Sequence, residues 1–205
     1  HVFLSCNTHY IDYLRDINAI DKTYIQDRFR VQVIRNGVRG ELCSTPWLGP
    51  LHLLPSFFKY PHLSLTEKLR ALFGLISMRL TNRGKNYADI DDETAYDWLR
   101  RHGQNDRIIE NLWNLFVLPA LNDDVRSVSA SEMIKVFQVA LLKNSTGSKI
   151  GVAKIGLTAL NGKPAQTYIE AHGGNVRLGN GVKSICVQDS QVQYVKMQDG
   201  DTVNS

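Results

Sequence analysis

The most regular alternation of hydrophobic and polar positions lies between residues 28 and 42. Phe29, Val31 and Val33 alternate with arginine and glutamine, which is the period of a strand with one buried and one solvated face. The dipeptide Asn36–Gly37 then favours a type I′ turn, because both residue types tolerate positive φ. The pattern predicts a β-hairpin that continues to Leu42.

A longer period, close to that of an α-helix, follows residue 64. Ser64 and Glu67 have the spacing of a capping box, and the apolar positions after them repeat at helical intervals. These positions form one wide stripe, made up of Leu65, Leu69, Leu72, Phe73, Ile76 and Leu80. A stripe of this width needs a protein partner or lipid. The segment before it, residues 46–61, holds four prolines, which exclude a regular helix through the whole segment.

Shorter signals predict the remaining elements. A buried strand at residues 1–5 precedes a helix capped by Asn7. Further helices are expected at about 92–102, 106–117 and 129–142, with Pro119 ending the second, and a short one runs from Pro164 to Gly173. Strands are expected at 176–178, 182–187 and 192–197. This order indicates the α+β class: a helical body with a small antiparallel sheet, followed by a separate β-rich unit.

Composition narrows the class of protein. Of the 205 residues 43% are hydrophobic and 21% charged, with a net charge of +4, which is ordinary for a globular domain and too weakly basic for nucleic-acid binding. The three cysteines are widely spaced without a CxxC pair, so neither a disulfide framework nor a metal site is expected. No stretch has the roughly 18 apolar residues of a membrane-spanning helix. Because the chain starts at His1 and stops within predicted strands, we expect an internal part of a longer protein.

Familiar catalytic motifs are absent from the sequence. It contains no GxGxxG, Walker, GxSxG or HExxH pattern. Asp123 and Asp124 are candidates for a catalytic acid, since buried carboxylates with a raised pKa are common proton donors. Adjacent carboxylates also occur as helix caps and in solvated turns. The sequence leaves both roles open, and the catalytic residues stay unknown at this point.

Several segments resemble one protein family. HVFLSCNTHYIDYLRDI is similar to the strand and helix that follow the first flavin-binding region in phytoene-desaturase-like members of the flavin-containing amine oxidase superfamily. Three further segments resemble the squalene-associated desaturase-like proteins of that branch, the hydroxysqualene dehydroxylases. These segments are LHLLPSFFKYPHLSLTEKLRAL, YDWLRRHGQNDRIIENLWNLFVLPALNDDVRSVSA and KIGLTALNGKPAQTYIEAHGGNVRLGNGV.

The resemblance implies an FAD enzyme whose dinucleotide-binding domain is interleaved with a substrate domain. Residues 1–150 then form the substrate-binding domain, which starts with a flavin-facing strand, and residues 151–205 form part of the FAD-binding α/β domain. On this resemblance His1, Phe3 and Leu4 contact the flavin, and Val182 contacts its adenine end. FAD is expected in the full-length protein. None is expected on these 205 residues alone, because they lack the family's glycine-rich fingerprint, and we expect them to be inactive by themselves.

The resemblance also implies a long polyisoprenoid substrate. The first expectation is the reductive removal of the hydroxyl of hydroxysqualene, giving squalene in hopanoid biosynthesis. The enzyme would lie on the cytoplasmic side of the inner membrane as a peripheral protein. One alternative is oxidative desaturation of phytoene or another carotenoid on the same fold. Another is a lipid-binding or membrane-docking module without catalysis. In either enzyme the chemistry belongs to the flavin, so the protein is expected to supply a dry apolar channel.

Two surfaces are expected to meet partners. The segment Pro46–Leu80 is expected to face an anionic membrane at the entrance of the substrate channel, because its basic residues outnumber the single Glu67. Those basic residues are Lys59, Lys68, Arg70 and Arg79. Open strand edges around Val2–Leu4 and Val182–Val187 are expected to make the isolated chain dimerise.

Overall fold

The computed structural model describes residues 1–45, 49–82, 84, 87–143 and 145–204, with no side-chain description for residues 49, 50, 87 and 88. Its strands are β1 (Val2–Leu4), β2 (Thr23–Ile25), β3 (Arg30–Arg35), β4 (Val38–Cys43), β5 (Ile150–Ala153), β6 (Val182–Gln188), β7 (Gln191–Met197) and β8 (Thr202–Asn204). Its α-helices are α1 (Thr8–Asp16), α2 (Leu54–Lys59), α3 (Leu65–Leu80), α4 (Tyr87–Asp91), α5 (Ala95–Arg101), α6 (Asp106–Ile108), α7 (Asn114–Leu121), α8 (Ala130–Val136) and α9 (Lys163–Ala171).

Short turns of other helix types extend these elements. A 3₁₀ turn at Ile20–Lys22 precedes β2, and another at Gly49–Leu53 precedes α2. A π-helical turn at Ile109–Trp113 joins α6 to α7, one at Phe137–Leu141 continues α8, and one at Thr158–Gly162 leads into α9. A helical body with small antiparallel sheets results, which confirms the α+β class.

The first sheet joins the two ends of the helical body. β5 is its central strand, with β1 and β2 on either side, both antiparallel to it. Phe3 lies opposite Gly151, where a Cβ atom would lie 2.3 Å from the Phe3 ring. The Phe3 ring therefore crosses β5 only because position 151 has no side chain. Phe3 also packs on α1 in a small core with Ile11, Leu14, Ile17, Ala19 and Leu160.

β3 and β4 form the predicted hairpin. Asn36 and Gly37 have φ of 50° and 77°, the positive values that a type I′ turn requires. The register runs from Arg35 opposite Val38 to Arg30 opposite Cys43. The hairpin lies close against the chain that leads into α3, since a Cβ at Gly40 would lie 2.9 Å from Cδ of Pro61.

The main core lies within the helical body. It includes side chains of α5, α8 and the π-helical turns at Ile109–Trp113 and Phe137–Leu141, and its largest fully buried members are Trp98, Trp113, Tyr60 and Phe137. Ser64 and Ser129 cap helices of this body through their side chains, whereas Asn7, the predicted cap of α1, holds the N-cap position without a side-chain hydrogen bond to the helix. Ser64 and Glu67 form a complete capping box at the start of α3. Ser129 accepts a hydrogen bond from the Glu132 N–H at the start of α8.

The buried face of α3 is made of small residues. Ala71, Gly74 and Met78 are buried, and a Cβ at Gly74 would lie 3.0 Å from Nε2 of Gln104 and 3.1 Å from the Trp113 ring. The helix therefore approaches the core through its small residues. Most of the apolar stripe expected from the sequence faces outward instead.

Two expectations about secondary structure were wrong. Pro119 does not end the second helix, because α7 includes Pro119 and ends at Leu121, followed by Asn122 as its C-cap with φ of 58°. A proline this close to a helix end removes only its own N–H bond to the carbonyl of Leu115 and leaves the last turn otherwise intact. Residues 176–178 form no strand. They lie between Gly173 and Gly179, which both have positive φ, so the chain turns on either side of them.

The C-terminal sheet has the order β6–β7–β8 and is antiparallel throughout. β6 and β7 are the two predicted strands, and β8 follows the turn at Gly200, where φ is 99°. Ile185, Val187 and Val192 are exposed on this sheet, and among its described residues Met197 alone is buried. The sheet therefore holds together by strand pairing rather than by a core of its own.

None of the described helices is both long enough and apolar enough to cross a bilayer.

Candidate functional site

An apolar cavity opens within the helical body and has a volume of about 280 Å³. That volume is just below the range of small-molecule sites, which hold about 300 to 1,000 Å³. The lining side chains are aliphatic or aromatic, with one arginine. They are Leu42, Leu51, Leu53, Leu54, Phe57, Leu72, Leu75, Ile76, Arg79, Leu112, Trp113, Phe116, Phe137, Leu141 and Leu142.

Four parts of the chain form the walls of this cavity. α3 provides Leu72 and Leu75, and the segment from β4 to α2 provides one wall opposite. The remaining two walls come from the π-helical turns at Ile109–Trp113 and Phe137–Leu141. A π-helical turn widens a helix locally, and such turns are frequent at functional sites. Both turns place aromatic rings at the cavity, and the Trp113 and Phe137 rings meet edge to face at 5.2 Å.

Arg79 is the one charged residue of the described lining, and it is exposed. Its Nη1 donates a hydrogen bond of 3.0 Å to the carbonyl of Leu142. The arginine is thus held at the rim, with its guanidinium towards solvent. The remaining lining offers neither an acid nor a base, so the cavity suits an apolar ligand that it holds and shields from water.

Polar side chains buried near the cavity serve to hold its walls. His52 is fully buried, and its Nε2 lies 3.0 Å from the carbonyl of Leu141, so Nε2 carries the proton. Tyr60 is also buried, and its hydroxyl donates to the carbonyl of Asn111 at 3.0 Å. Burial, partly offset by the positive charge of Arg35, raises the pKa of Tyr60 to about 12. Tyr60 therefore stays neutral at physiological pH, and both residues tie neighbouring segments together.

A second pocket, of about 300 Å³, lies beside β1. His1 and Phe3 line it together with Tyr10, Ala153 and Asn161, among others. The Tyr10 hydroxyl donates to Oδ1 of Asn161 at 3.1 Å, so α1 and the turn before α9 are tied together at this pocket. β1 is an edge strand, and on that side its backbone groups pair with no other described strand.

The residues that the resemblance assigns to the flavin are only partly brought together. His1 and Phe3 share the second pocket. Leu4 is half-buried and packs against the main core instead. Val182 begins β6, pairs with Met197 and is exposed. Contact of these four residues with flavin stays a prediction.

On the resemblance, the second pocket would hold one part of a flavin. An open strand edge beside the Phe3 and Tyr10 rings, which pack edge to face at 5.2 Å, suits a flat ring system with hydrogen-bonding edges. The phosphates of FAD call for a glycine-rich turn before a helix, and the sequence has no such motif. His1, Phe3 and the β1 edge would therefore face the ring portion of the flavin, and the chain has no glycine-rich motif for its phosphates.

Asp123 and Asp124 lie in the turn after α7. Asp123 Oδ1 accepts from the Asp124 N–H at 2.7 Å, and Asp124 accepts from Nδ2 of Asn114 and from the Arg126 N–H. Asp123 is exposed, and Asp124 also pairs with the Arg126 guanidinium at 3.7 Å. These contacts are those of a solvated helix-ending turn, one of the two roles that the sequence left open. Neither residue lines the apolar cavity, and their use as a proton donor stays a prediction.

The sequence analysis expected a channel entrance within Pro46–Leu80, which provides part of the cavity lining, but it did not identify the other segments that line it. Its residues come from four separate segments, and each segment alone has the pattern of ordinary core. The signals that could have pointed to it are the proline-rich and leucine-rich segment around Leu53 and the aromatic residues Trp113 and Phe116. No three His, Cys, Asp or Glu side chains come together as a possible metal site in the described part of the chain.

A family model described as flavin containing amine oxidoreductase matches residues 1–205, so the chain belongs to that family. The chain is 25% identical to a probable zeta-carotene desaturase of Synechococcus elongatus over 215 residues, which cover 99% of the chain and 44% of that protein. It is 27% identical to the chloroplastic/chromoplastic 15-cis-phytoene desaturase of Capsicum annuum over 150 residues, which cover 69% of the chain and 24% of that protein.

A solved structure shows the same fold. An oxidoreductase from Methanosarcina mazei superposes on the whole chain with a TM-score of 0.61 at 12% identity, and the match covers 44% of that protein. The chain thus spans less than half the length of the curated relatives and of this structure.

Proposed function

We propose that this chain, as a member of the flavin containing amine oxidoreductase family, is the part of a flavin-dependent enzyme that holds a long polyisoprenoid. The observation that carries the proposal is the apolar cavity, whose described lining offers only Arg79 as a charged group. A hydrocarbon chain has no polar groups to bind, so shape and apolar contact must hold it. The cavity volume of about 280 Å³ suits a segment of such a chain rather than all of it.

Oxidative desaturation is the reaction that the relatives favour. The two curated relatives are named as carotene and phytoene desaturases, and reductive removal of the hydroxyl of hydroxysqualene is the second candidate. When bound, the flavin supplies hydride transfer in either direction. The residues of this chain hold and orient the isoprenoid: Leu75, Leu112 and Phe137 contact it, and the apolar walls exclude water.

Product analysis of the full-length protein tests the reaction. The flavin-loaded enzyme is incubated separately with phytoene, zeta-carotene and hydroxysqualene, and the products are separated by chromatography. We expect additional conjugated double bonds in a carotenoid product. If squalene were the sole product, the reductive reaction would be the correct assignment and desaturation would be rejected. If the protein bound isoprenoid but converted no substrate, it would be a lipid-binding module.

Filling the cavity tests the place of binding. Leu75→Trp puts a larger side chain into the cavity from α3, and we expect KM for the isoprenoid to rise by about tenfold, because overpacking costs about 1 to 3 kcal/mol. Ile34→Trp on the exposed face of the hairpin is the matched control. Steady-state kinetics on folded variants give the answer, and equal KM values for both variants would remove the cavity from the proposal.

A further inference from the structure

The outward face of α3 is an exposed apolar surface. Five of its side chains are each more than half exposed, and we call them the α3 stripe: Leu65, Leu69, Phe73, Ile76 and Leu80. Their spacing of four, four, three and four residues places them along one side of the 16-residue helix. Large apolar residues on a solvent face in this number mark a surface that meets a partner.

The packing of α3 fixes this orientation. Ala71, Gly74 and Met78 on the opposite side are buried, and Gly74 lies too close to Trp113 and Gln104 for a larger residue. Turning the helix to bury the stripe would force its leucines into that narrow contact. The α3 stripe therefore remains outside in this fold.

The charge around the α3 stripe is positive. Between Glu41 and Asp89 the sequence has six basic residues and one acidic residue, Glu67. Glu67 is buried and lies 3.5 Å from the Arg107 guanidinium, so it adds no negative charge to the surface. Lys68, which the sequence analysis counted among the surface cations, is also buried and donates to the carbonyl of Phe58 at 2.7 Å.

Among the described residues of this region, the exposed cations are Lys59, Arg70 and Arg79. Long basic side chains beside an apolar helix face can keep their charged ends among lipid headgroups while their methylenes follow the apolar surface. An apolar stripe with exposed basic side chains on and next to its helix matches the boundary between the anionic headgroups and the acyl chains of a bilayer.

The α3 stripe is continuous with the cavity. Ile76 belongs to both, and Arg79 on the next turn is the arginine of the cavity rim. Leu51, on the facing segment, also lines the cavity and is exposed. The cavity thus opens beside the stripe, where a bilayer in contact with α3 would meet it.

We propose that α3 lies in the surface of an anionic bilayer through this stripe, and that the isoprenoid passes from the bilayer into the cavity beside Ile76 and Arg79. The route of the isoprenoid rests on the proposed function, whereas membrane contact does not. A second copy of the chain on the same face would bring Arg70 and Arg79 towards the same residues of its partner, and such like charges oppose association. The bilayer is therefore the favoured occupant.

Vesicle flotation of the flavin-loaded, full-length protein tests the contact. The vesicles contain phosphatidylcholine alone or phosphatidylcholine mixed with phosphatidylglycerol. The stripe variant carries Leu65→Ser, Leu69→Ser and Phe73→Ser, which change exposed side chains outside the cavity lining. The matched control carries Ile34→Ser and Val38→Ser on the exposed hairpin. Circular dichroism and Tm confirm that each variant is folded.

Wild type and the hairpin control are expected to float with the anionic vesicles. The stripe variant is expected to partition roughly a hundredfold less, given the apolar area lost. Arg70→Gln is expected to weaken partitioning by about fivefold, and only on anionic vesicles. Equal flotation of the folded stripe variant and wild type would overturn the proposal. So would a wild type that stays unbound, because another segment of the full-length protein would then cover the stripe.

Two further measurements separate this inference from the proposed function. A stripe variant that changes from dimer to monomer by light scattering would assign the surface to a second copy and overturn membrane contact. Turnover by wild type and by the stripe variant is measured with isoprenoid dispersed in detergent and with isoprenoid in vesicles. The stripe variant is expected to lose turnover only when the isoprenoid is in vesicles. Vesicle binding without turnover of any isoprenoid would contradict the proposed function and leave the membrane contact standing.

Discussion

Glu67 shows how one side chain can be buried with its charge retained. Burial by itself would raise the pKa of Glu67, but the N–H and hydroxyl of Ser64 and the charge of Arg107 outweigh it, so the pKa is lowered. Its Oε2 accepts from both Ser64 donors at 2.8 Å. The carboxylate thus satisfies the first turn of α3, which carries the proposed membrane surface.

The lowered pKa of Glu67 predicts a pH-dependent contribution to stability. The folded state favours the ionised carboxylate, so its contribution is complete above the ordinary carboxyl pKa and is lost as the pH falls through the folded-state value. Relative to Glu67→Gln, wild type is expected to be more stable by about 1 kcal/mol at neutral pH. Urea unfolding from neutral to acidic pH measures the difference. Glu132→Gln, at the same position of α8 but more exposed, should change less, and a difference that grows on acidification would contradict the argument.

Gly151 is a second position where one residue decides a local packing arrangement. A Cβ there would overlap the Phe3 ring at 2.3 to 2.8 Å, and Phe3 lines the pocket assigned to the flavin ring. Gly151→Ala is expected to lower the free energy of unfolding by about 1 to 3 kcal/mol, because the ring must move. Gly156→Ala, where no atom lies within 4 Å of the Cβ position, is the control. Equal Tm values for the two variants would mean that Phe3 moves without cost.

At the scale of elements, α7 continues through a proline. Pro119 lies in the helix interior and is exposed. Its ring therefore removes a backbone hydrogen bond of the helix and makes no buried contact in return. The helix continues because the π-helical turn before it and the buried Val117 anchor it to the core. Tertiary contacts here outweigh a local signal that normally ends a helix.

Replacing that proline predicts a more stable helix. Pro119→Ala restores an N–H that can bond to the carbonyl of Leu115. We expect the free energy of unfolding to rise by about 1 to 2 kcal/mol. The gain is smaller than the full cost of a helical proline because alanine also gives the unfolded chain more conformational freedom. Thermal unfolding measures the change. Pro164→Ala, in the first turn of α9 where proline fits, should bring no gain, and a destabilised Pro119→Ala would show that the ring is needed for packing.

At the scale of the whole molecule, the C-terminal sheet has little of its surface covered by the described part of the chain. Its outer aliphatic residues include Ile185, Val187 and Val192, all exposed. β6 and β8 are its edge strands, and an open edge with apolar side chains tends to pair with another chain. The relatives are more than twice as long as the matched region, and we propose that their remaining parts have counterparts that cover this sheet.

The exposed sheet predicts self-association of the 205-residue chain when it is produced alone. We expect light scattering after size-exclusion chromatography to give a dimer, and Ile185→Thr with Val187→Thr to shift it towards monomer, because the apolar contact is lost. Leu65→Ser and Leu69→Ser on the α3 stripe serve as the comparison. A monomer at all concentrations, with fast amide exchange in β6 and β7, would show that these strands fray instead. Flavin in the purified chain would contradict the expectation that it binds none.

Local chemistry determined much of this fold in advance. The Asn36–Gly37 turn, the Ser64 and Ser129 caps and the alternation in β3 depend on residues a few positions apart, and backbone preferences and short-range hydrogen bonds decide such features. The α+β class and the family resemblance followed from the same level of information.

Contacts between distant parts of the chain decided the rest. β5 pairs with β1 from the other end of the helical body, and such short strands carry no period of their own. The sequence does not show which side of α3 packs against the core. That side is set by the close contact of Gly74 with Trp113 and Gln104, which lie on other segments of the chain. The cavity, likewise, exists only where four segments meet. Sequence therefore determined the elements and the family, and tertiary packing decided the faces they bury, because burial depends on the shape of a partner that lies far along the chain.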